Sequence, residues 1–161
     1  MTTQFTKDVI RFNMMYRLAA NCTPAIPFVT SSEKGTARAQ LVERLFEFKK
    51  IMSDEIGEVD EIMNKARAGE DKIDLLVDLA DWLGDLQVFC ASEMLKFGLP
   101  NEAVLGIIME SNFSKLQTDG TPLIVDGKLQ KGPGYWKPEP KIKKILNLLI
   151  ASKEWPDEEA S

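Results

Sequence analysis

The chain has 161 residues, two cysteines and no histidine, and its 20 Lys+Arg against 25 Asp+Glu give a formal net charge of −5. The missing imidazole excludes a Ser-His-Asp triad, a histidine general base, a His-Glu-x-x-His zinc site and a haem held by a proximal histidine. Cys22 and Cys90 alone cannot complete the four ligands of a structural zinc. Any chemistry therefore falls to carboxylates, lysines and hydroxyls.

The balance of 44% hydrophobic and 28% charged residues suits one soluble globular domain spanning 1–161. The acidic surplus argues against a nucleic-acid polymer or a membrane surface as partner. No apolar run reaches the length of a membrane span, and residues 1–10 lack the basic start and apolar stretch of a signal peptide. Two distant cysteines suit reduced thiols and a cytoplasmic setting.

In chain order, the spacing of Val9, Phe12, Tyr16 and Ala19/Ala20 predicts a helix over about 4–19. Pro24, Pro27 and Gly35 mark 21–35 as loop. A second helix is expected over 36–68, with Leu41, Leu45, Phe48, Met52, Ile56, Val59 and Met63 on one face and Gly69 as its C′ residue. A third, the most apolar, spans 73–97 and ends at Gly98; its greasiness nearly all round predicts burial. A fourth covers 101–116. Asp126-Gly127, between Leu123-Ile124-Val125 and Lys128-Leu129-Gln130, predicts a hairpin. A loop, Lys131-Gly132-Pro133-Gly134, precedes a last amphipathic helix over 140–151 and a frayed tail over 153–161. The fold class is all-α: a four- to five-helix bundle with a small C-terminal hairpin.

The chemistry concentrates on helices two and three. Asp74, Asp78, Asp81 and Asp85 follow i, i+4, i+7, i+11 spacing, a stripe roughly 60° wide on a helix. Val77 and Val88 flank it on one side, Trp82 and Phe89 on the other. Unpaired buried charges cost several kcal/mol each, so something positive should meet the stripe, a metal ion or lysines. On helix two, Glu55 projects into the apolar sector and Glu58 sits at its edge, while Asp54 and Glu61 lie farther round and are expected in solvent. Two antiparallel helices joined by a short loop bring the Glu55/Glu58 and Asp78/Asp81 pairs face to face. Four oxygen ligands from two helices suit one or more Mg²⁺ or Mn²⁺ ions. With no histidine available, a carboxylate is the natural general base, and Glu55 is the candidate.

Glu55-Ile-Gly-Glu58 and Asp78-Leu-Ala-Asp81 resemble the Glu-x-x-Glu…Glu-x-x-Asp signature of the all-α nucleoside triphosphate pyrophosphohydrolases, the superfamily of MazG-type enzymes, dimeric dUTPases and phosphoribosyl-ATP pyrophosphohydrolase. The run Ser111-Asn112-Phe113-Ser114-Lys115-Leu116, with Asp119-Gly120, Gly127-Lys128 and Lys131-Gly132-Pro133-Gly134-Tyr135, resembles a phosphoribosyl-ATP-pyrophosphohydrolase-like branch. The similarity spans about residues 8–138. One position departs from the pattern: the third acid is Asp78 where the family has Glu, so Asp81 and Asp85, or Asp74, could share the ligand role.

The resemblance implies an Mg²⁺-dependent enzyme, with Mn²⁺ as an alternative, that splits a nucleoside triphosphate into monophosphate and pyrophosphate. dUTP, another pyrimidine dNTP or a damaged nucleotide is the substrate reading. It implies phosphate or sugar contacts from Asn112 and Lys115, and further substrate contacts from Lys131 and Tyr135 on a segment that is either hairpin surface or a closing flap. It also places Asn13, with Phe12 and Tyr16, at the base pocket. It implies a homodimer or homotetramer, which the many apolar helix faces also favour. Two other readings stand beside it: phosphoribosyl-ATP hydrolysis in histidine biosynthesis, and a non-catalytic nucleotide-binding helical dimer.

Overall fold

The computed structural model describes residues 2–25 and 37–152. Five helices dominate: α1 (Gln4–Met15), α2 (Ala37–Ala68), α3 (Lys72–Lys96), α4 (Asn101–Phe113) and α5 (Glu139–Ser152). Between α4 and α5 lie two short antiparallel strands, β1 (Ile124–Val125) and β2 (Lys128–Leu129). The all-α expectation holds. The first residue of the expected second helix, most of the loop before it and the tail over 153–161 lie outside the described residues.

The helix ends follow from specific residues. Asp71 caps α3 by accepting from the Ile73 N–H at 2.8 Å, and Thr3 caps α1 by accepting from the Thr6 N–H at 3.3 Å. Three helices close with the same paired bonds, C′ N–H to C2 and C″ N–H to C3. At the end of α2, Gly69 donates to Ala66 and Glu70 to Lys65; at the end of α3, Gly98 donates to Leu95 and Leu99 to Met94. The end of α1 corrects the sequence expectation. Arg17, at φ 54, takes the left-handed position with no glycine present. The Arg17 N–H donates to Met14 and the Leu18 N–H to Asn13, so the helix stops at Met15 and not near residue 19.

Helix α4 also stops early, at Phe113 and not at 116. The Ser114 hydroxyl donates to the Ser111 carbonyl at 2.7 Å, offering that carbonyl a partner outside the helical ladder. The hairpin forms as expected. Asp126 and Gly127 both have positive φ, the geometry of a two-residue primed turn, and pair Val125 with Lys128 and Ile124 with Leu129.

Helices α2 and α3 form the long antiparallel pair. As one ascends the other descends, bringing Lys65 to Asp78, Glu55 to Trp82 and Arg44 to Glu93. Helix α1 packs on the C-terminal part of α3, where Val9, Ala91 and Leu95 form the buried core with Ile10 against it. Asn13, 0% exposed, pegs this junction: its amide donates to the Ala19 and Ser92 carbonyls, and the Ser92 hydroxyl donates to its oxygen at 2.6 Å. The segment 21–25 straps the end of α3, with the Asn21 N–H donating to Leu95 and the Ala25 N–H to Phe97.

Burial of α3 is narrower than its composition predicts. Ala91, Ser92, Glu93 and Leu95 are buried, but Ile73, Leu76, Val77, Leu79 and Leu83 are exposed. Val42, Leu45, Phe46, Ile56 and Met63 on α2 are exposed as well. The cause is geometric: α1 packs at the C-terminal end of α3, and the buried residues of α3 all lie there. Among the described residues no helix is long and apolar enough to cross a membrane.

Candidate functional site

The acidic residues of α2 and α3 meet in one cleft of about 200 Å³, lined by Glu58, Glu61, Ile62 and Lys65 from α2 and by Asp78, Asp81, Trp82 and Asp85 from α3. Glu58, Asp78 and Asp81 thus share a cavity, and Asp85 joins them. Asp74 does not line it. Glu61 is exposed, as expected, and also lines the open cleft: it stands one turn beyond Glu58, on the same face as Lys65. Lys65 is the cation that meets the acid stripe, with its ammonium 2.7 Å from Asp78 Oδ2; the stripe is not buried as expected, since Asp74, Asp81 and Asp85 are exposed and solvent screens them. Hydrogen bonding to Asp78 and its charge hold the lysine pKa above the ordinary value. The spacing 58, 61/62, 65 carries the signal for both residues, because it is the helical repeat of the Glu58 face.

Glu55 stands one turn before Glu58. Its Oε2 is buried with no hydrogen-bond partner. Burial pushes its carboxyl pKa up, and the charges of Glu58, Asp85 and Asp54 push it further the same way. Trp82 fixes the turn that carries it by donating from its indole Nε1 to the Glu55 carbonyl at 2.8 Å. The Glu55 side chain is therefore coupled to two lining acids while its backbone is tied to a lining aromatic.

The donor set is all carboxylate oxygen, the chemistry of a hard divalent cation. The orphaned Oε2 of Glu55 is a ligand atom without a partner, and the residues fit such an ion. In their present rotamers no three acidic side chains among the described residues converge as ligands.

A second group forms at the end of α4. The Lys115 ammonium donates to Asn112 Oδ1 at 2.7 Å, and the Gly132 N–H donates to the Lys115 carbonyl at 2.8 Å. A Cβ on Gly132 would come within 2.0 Å of the Leu116 carbonyl oxygen, so only glycine allows this approach. The Ser111 hydroxyl donates to the Trp136 carbonyl and the Trp136 N–H to Ser114 Oγ. Lys131 lies over the Tyr135 ring, 4.6 Å from its centre. The Ser-Asn-x-Ser-Lys run and the Lys-Gly-Pro-Gly-Tyr run are thus one unit, with the loop anchored on α4.

Asn112, Lys115, Lys131 and Tyr135 are gathered there, and Glu55, Glu58, Asp78 and Asp81 at the cleft. Among the described residues no hydrogen bond or ion pair joins the two groups. Asn13 belongs to neither, since both ends of its amide are engaged at the α1–α3 junction. The Phe12 and Tyr16 rings touch at a tilt, with centres 4.7 Å apart, and both are exposed.

No family model matches the chain, and no curated protein matches it in sequence. Among solved structures, the chain is similar in fold to a candidate NTP pyrophosphohydrolase from Exiguobacterium sp. 255-15, at 20% identity and a TM-score of 0.51, with 96% of this chain and 100% of that one covered.

Proposed function

We propose that the α2–α3 cleft binds Mg²⁺, or Mn²⁺, and that the protein hydrolyses a nucleoside triphosphate to its monophosphate and pyrophosphate. The observation that carries this reading is that Glu58, Asp78 and Asp81 line one cavity, with the buried, unpartnered Oε2 of Glu55 one turn away. The likeness in fold to a candidate NTP pyrophosphohydrolase supports it.

When bound, the ion supplies the positive charge that lets a polyanionic triphosphate approach a nest of carboxylates. Glu58, Asp78 and Asp81 would hold it. Glu55 accepts the proton of the attacking water; its pKa, raised by burial and by Glu58, Asp85 and Asp54, makes it a stronger base than a solvated carboxylate. The water oxygen forms a new bond to phosphorus, the bridging P–O bond breaks, and pyrophosphate leaves. Asn112, Lys115, Lys131 and Tyr135 provide donors and charge for the nucleotide. Asn13 enters this scheme only as the peg of α1 on α3. dUTP, another pyrimidine dNTP or a damaged nucleotide is the proposed substrate, in the cytoplasm.

We further propose that the working unit is a homodimer or homotetramer. Large apolar side chains of α2 and α3 stand exposed, among them Val42, Phe46, Ile56, Leu76 and Val77. Light scattering on the eluting protein checks this, and a monomer would count against it.

The deciding experiment is incubation with a panel of dNTPs, phosphoribosyl-ATP and Mg²⁺, reading pyrophosphate release. Release from a dNTP is expected. Release from none would overturn the enzymatic reading, and release from phosphoribosyl-ATP alone would overturn the substrate.

A further inference from the structure

Lys65 is the one cation among the residues lining the cleft, facing Glu58, Glu61, Asp78, Asp81 and Asp85. Its ammonium sits 2.7 Å from Asp78 Oδ2, and the two side chains keep 47% and 30% of their exposure. A pair so open to solvent is weak and easily exchanged. The other ion pair between α2 and α3 among the described residues contrasts with it. Arg44 and Glu93 are nearly buried, with Arg44 Nε 2.6 Å from Glu93 Oε1 and Lys96 adding a second cation. That pair locks the helices, while Lys65–Asp78 does not need to.

A long flexible ammonium on the one partly buried acid of a carboxylate nest occupies the place where a divalent cation would draw its ligands. We propose that Lys65 is the resident counter-ion of the cleft: it holds Asp78 while the cleft is empty of metal, competes with the divalent cation for that carboxylate, and on exchange is freed to meet the phosphates of the substrate. This rests on the metal-binding reading given above. It also supplies a physical reason why the acids are not drawn together as ligands while the lysine is in place.

A simpler role exists for a lysine here, because Lys65 and Arg67 occupy the last turn of α2, where cations complement the helix dipole. The two roles differ in what they do to metal affinity. A dipole partner, once removed, lowers stability and leaves metal binding alone. A competing counter-ion, once removed, tightens metal binding.

The test is titration of Mn²⁺ alone, without nucleotide, into the wild-type chain, Lys65→Met, Lys65→Gln and Glu58→Gln by calorimetry, with circular dichroism to show that each is folded. The expected result is measurable binding by the wild type, weakened binding by Glu58→Gln, and binding at least about fivefold tighter by both Lys65 variants. If Glu58→Gln weakens binding but both folded Lys65 variants match or fall below the wild type, the counter-ion role is overturned and the metal site stands. If neither the wild type nor the Lys65 variants bind Mn²⁺, the metal reading falls and takes this one with it.

Discussion

The indole Nε1 of Trp82 donates to the main-chain carbonyl of Glu55 at 2.8 Å, so an aromatic lining the acid cleft holds the backbone of the turn that carries the proposed base. Trp82→Phe keeps most of the ring and removes that donor. It should cost about 1 kcal/mol in chemical denaturation, and it should lower kcat more than it raises KM, because it loosens the base and leaves the phosphate contacts intact. An equal loss in both constants would argue against positioning.

Glu55→Gln should reduce pyrophosphate release by more than about 100-fold. In metal-free buffer it should also stabilise the fold. A carboxyl whose folded pKa is raised binds its proton more tightly when folded. The stability it contributes is therefore complete below the ordinary carboxylate pKa and is lost as pH rises through the folded value. At neutral pH the wild type carries that loss and the glutamine variant does not. Thermal melts at pH 4 and pH 7 check this: the gap between variant and wild type should open as pH rises.

Arg44 and Glu93 test what holds α2 to α3 away from the cleft. Their side chains are 14% and 8% exposed. Arg44→Met alone should cost about 1–3 kcal/mol, since Glu93 then keeps only Lys96 as its cation, and Arg44→Met with Glu93→Leu should not recover that loss, because it leaves the Lys96 ammonium unpaired. Urea unfolding of the single and double variants gives the comparison.

Two glycines should respond in opposite directions. At Gly98 φ is +63 and a Cβ would fall 2.2 Å from the Thr23 carbonyl oxygen, so Gly98→Ala should destabilise by more than about 2 kcal/mol. Gly106 lies inside α4 with nothing within 4 Å of its Cβ position, so Gly106→Ala should stabilise by about 0.5–1 kcal/mol. Melting temperatures should separate the two clearly.

Glu102 makes the docking of α1 sensitive to acid. Burial pushes its carboxyl up, but donation from the Thr3 hydroxyl and N–H outweighs this and leaves its pKa below the ordinary value. The Thr3 N–H and hydroxyl reach its Oε1 at 3.0 and 2.6 Å. Stability from this contact is present above the ordinary carboxylate pKa and is lost as pH falls through the folded one. Glu102→Gln should flatten that part of the acid limb, measured by melting the two proteins between pH 3 and pH 6.

The helices were legible because their signals are local. Gly69 and Gly98 terminate α2 and α3 as their positions imply, and Asp126-Gly127 makes its turn. The end of α1 was not legible, because an arginine adopts the left-handed position that sequence reasoning reserves for glycine or asparagine. Within the cleft the helical repeat correctly aligned Glu58, Asp78 and Asp81. It did not single out Lys65, since a charged face reads as solvated until a second helix is known to stand opposite; Glu61 lines the cleft while staying exposed as expected. Asn13 shows the converse: an amide flanked by aromatics suggests recognition, yet here Ala19 and Ser92 satisfy it. The exposed Leu76, Val77 and Leu83 follow from a limit of periodicity, which identifies apolar surface without showing what covers it.

The lining of the cleft, five carboxylates against one ammonium, holds a formal −4 of the −5 that the sequence carries. Outside that groove the protein is close to electrically neutral, so colloidal repulsion between molecules depends largely on one local feature. Filling the groove with divalent charge would bring the particle near its isoelectric condition, where proteins are least soluble. Preparations supplied with excess Mg²⁺ or Mn²⁺ should therefore tolerate lower concentrations than chelated ones, and the solubility of the protein would become an indirect readout of the charge state of its cleft.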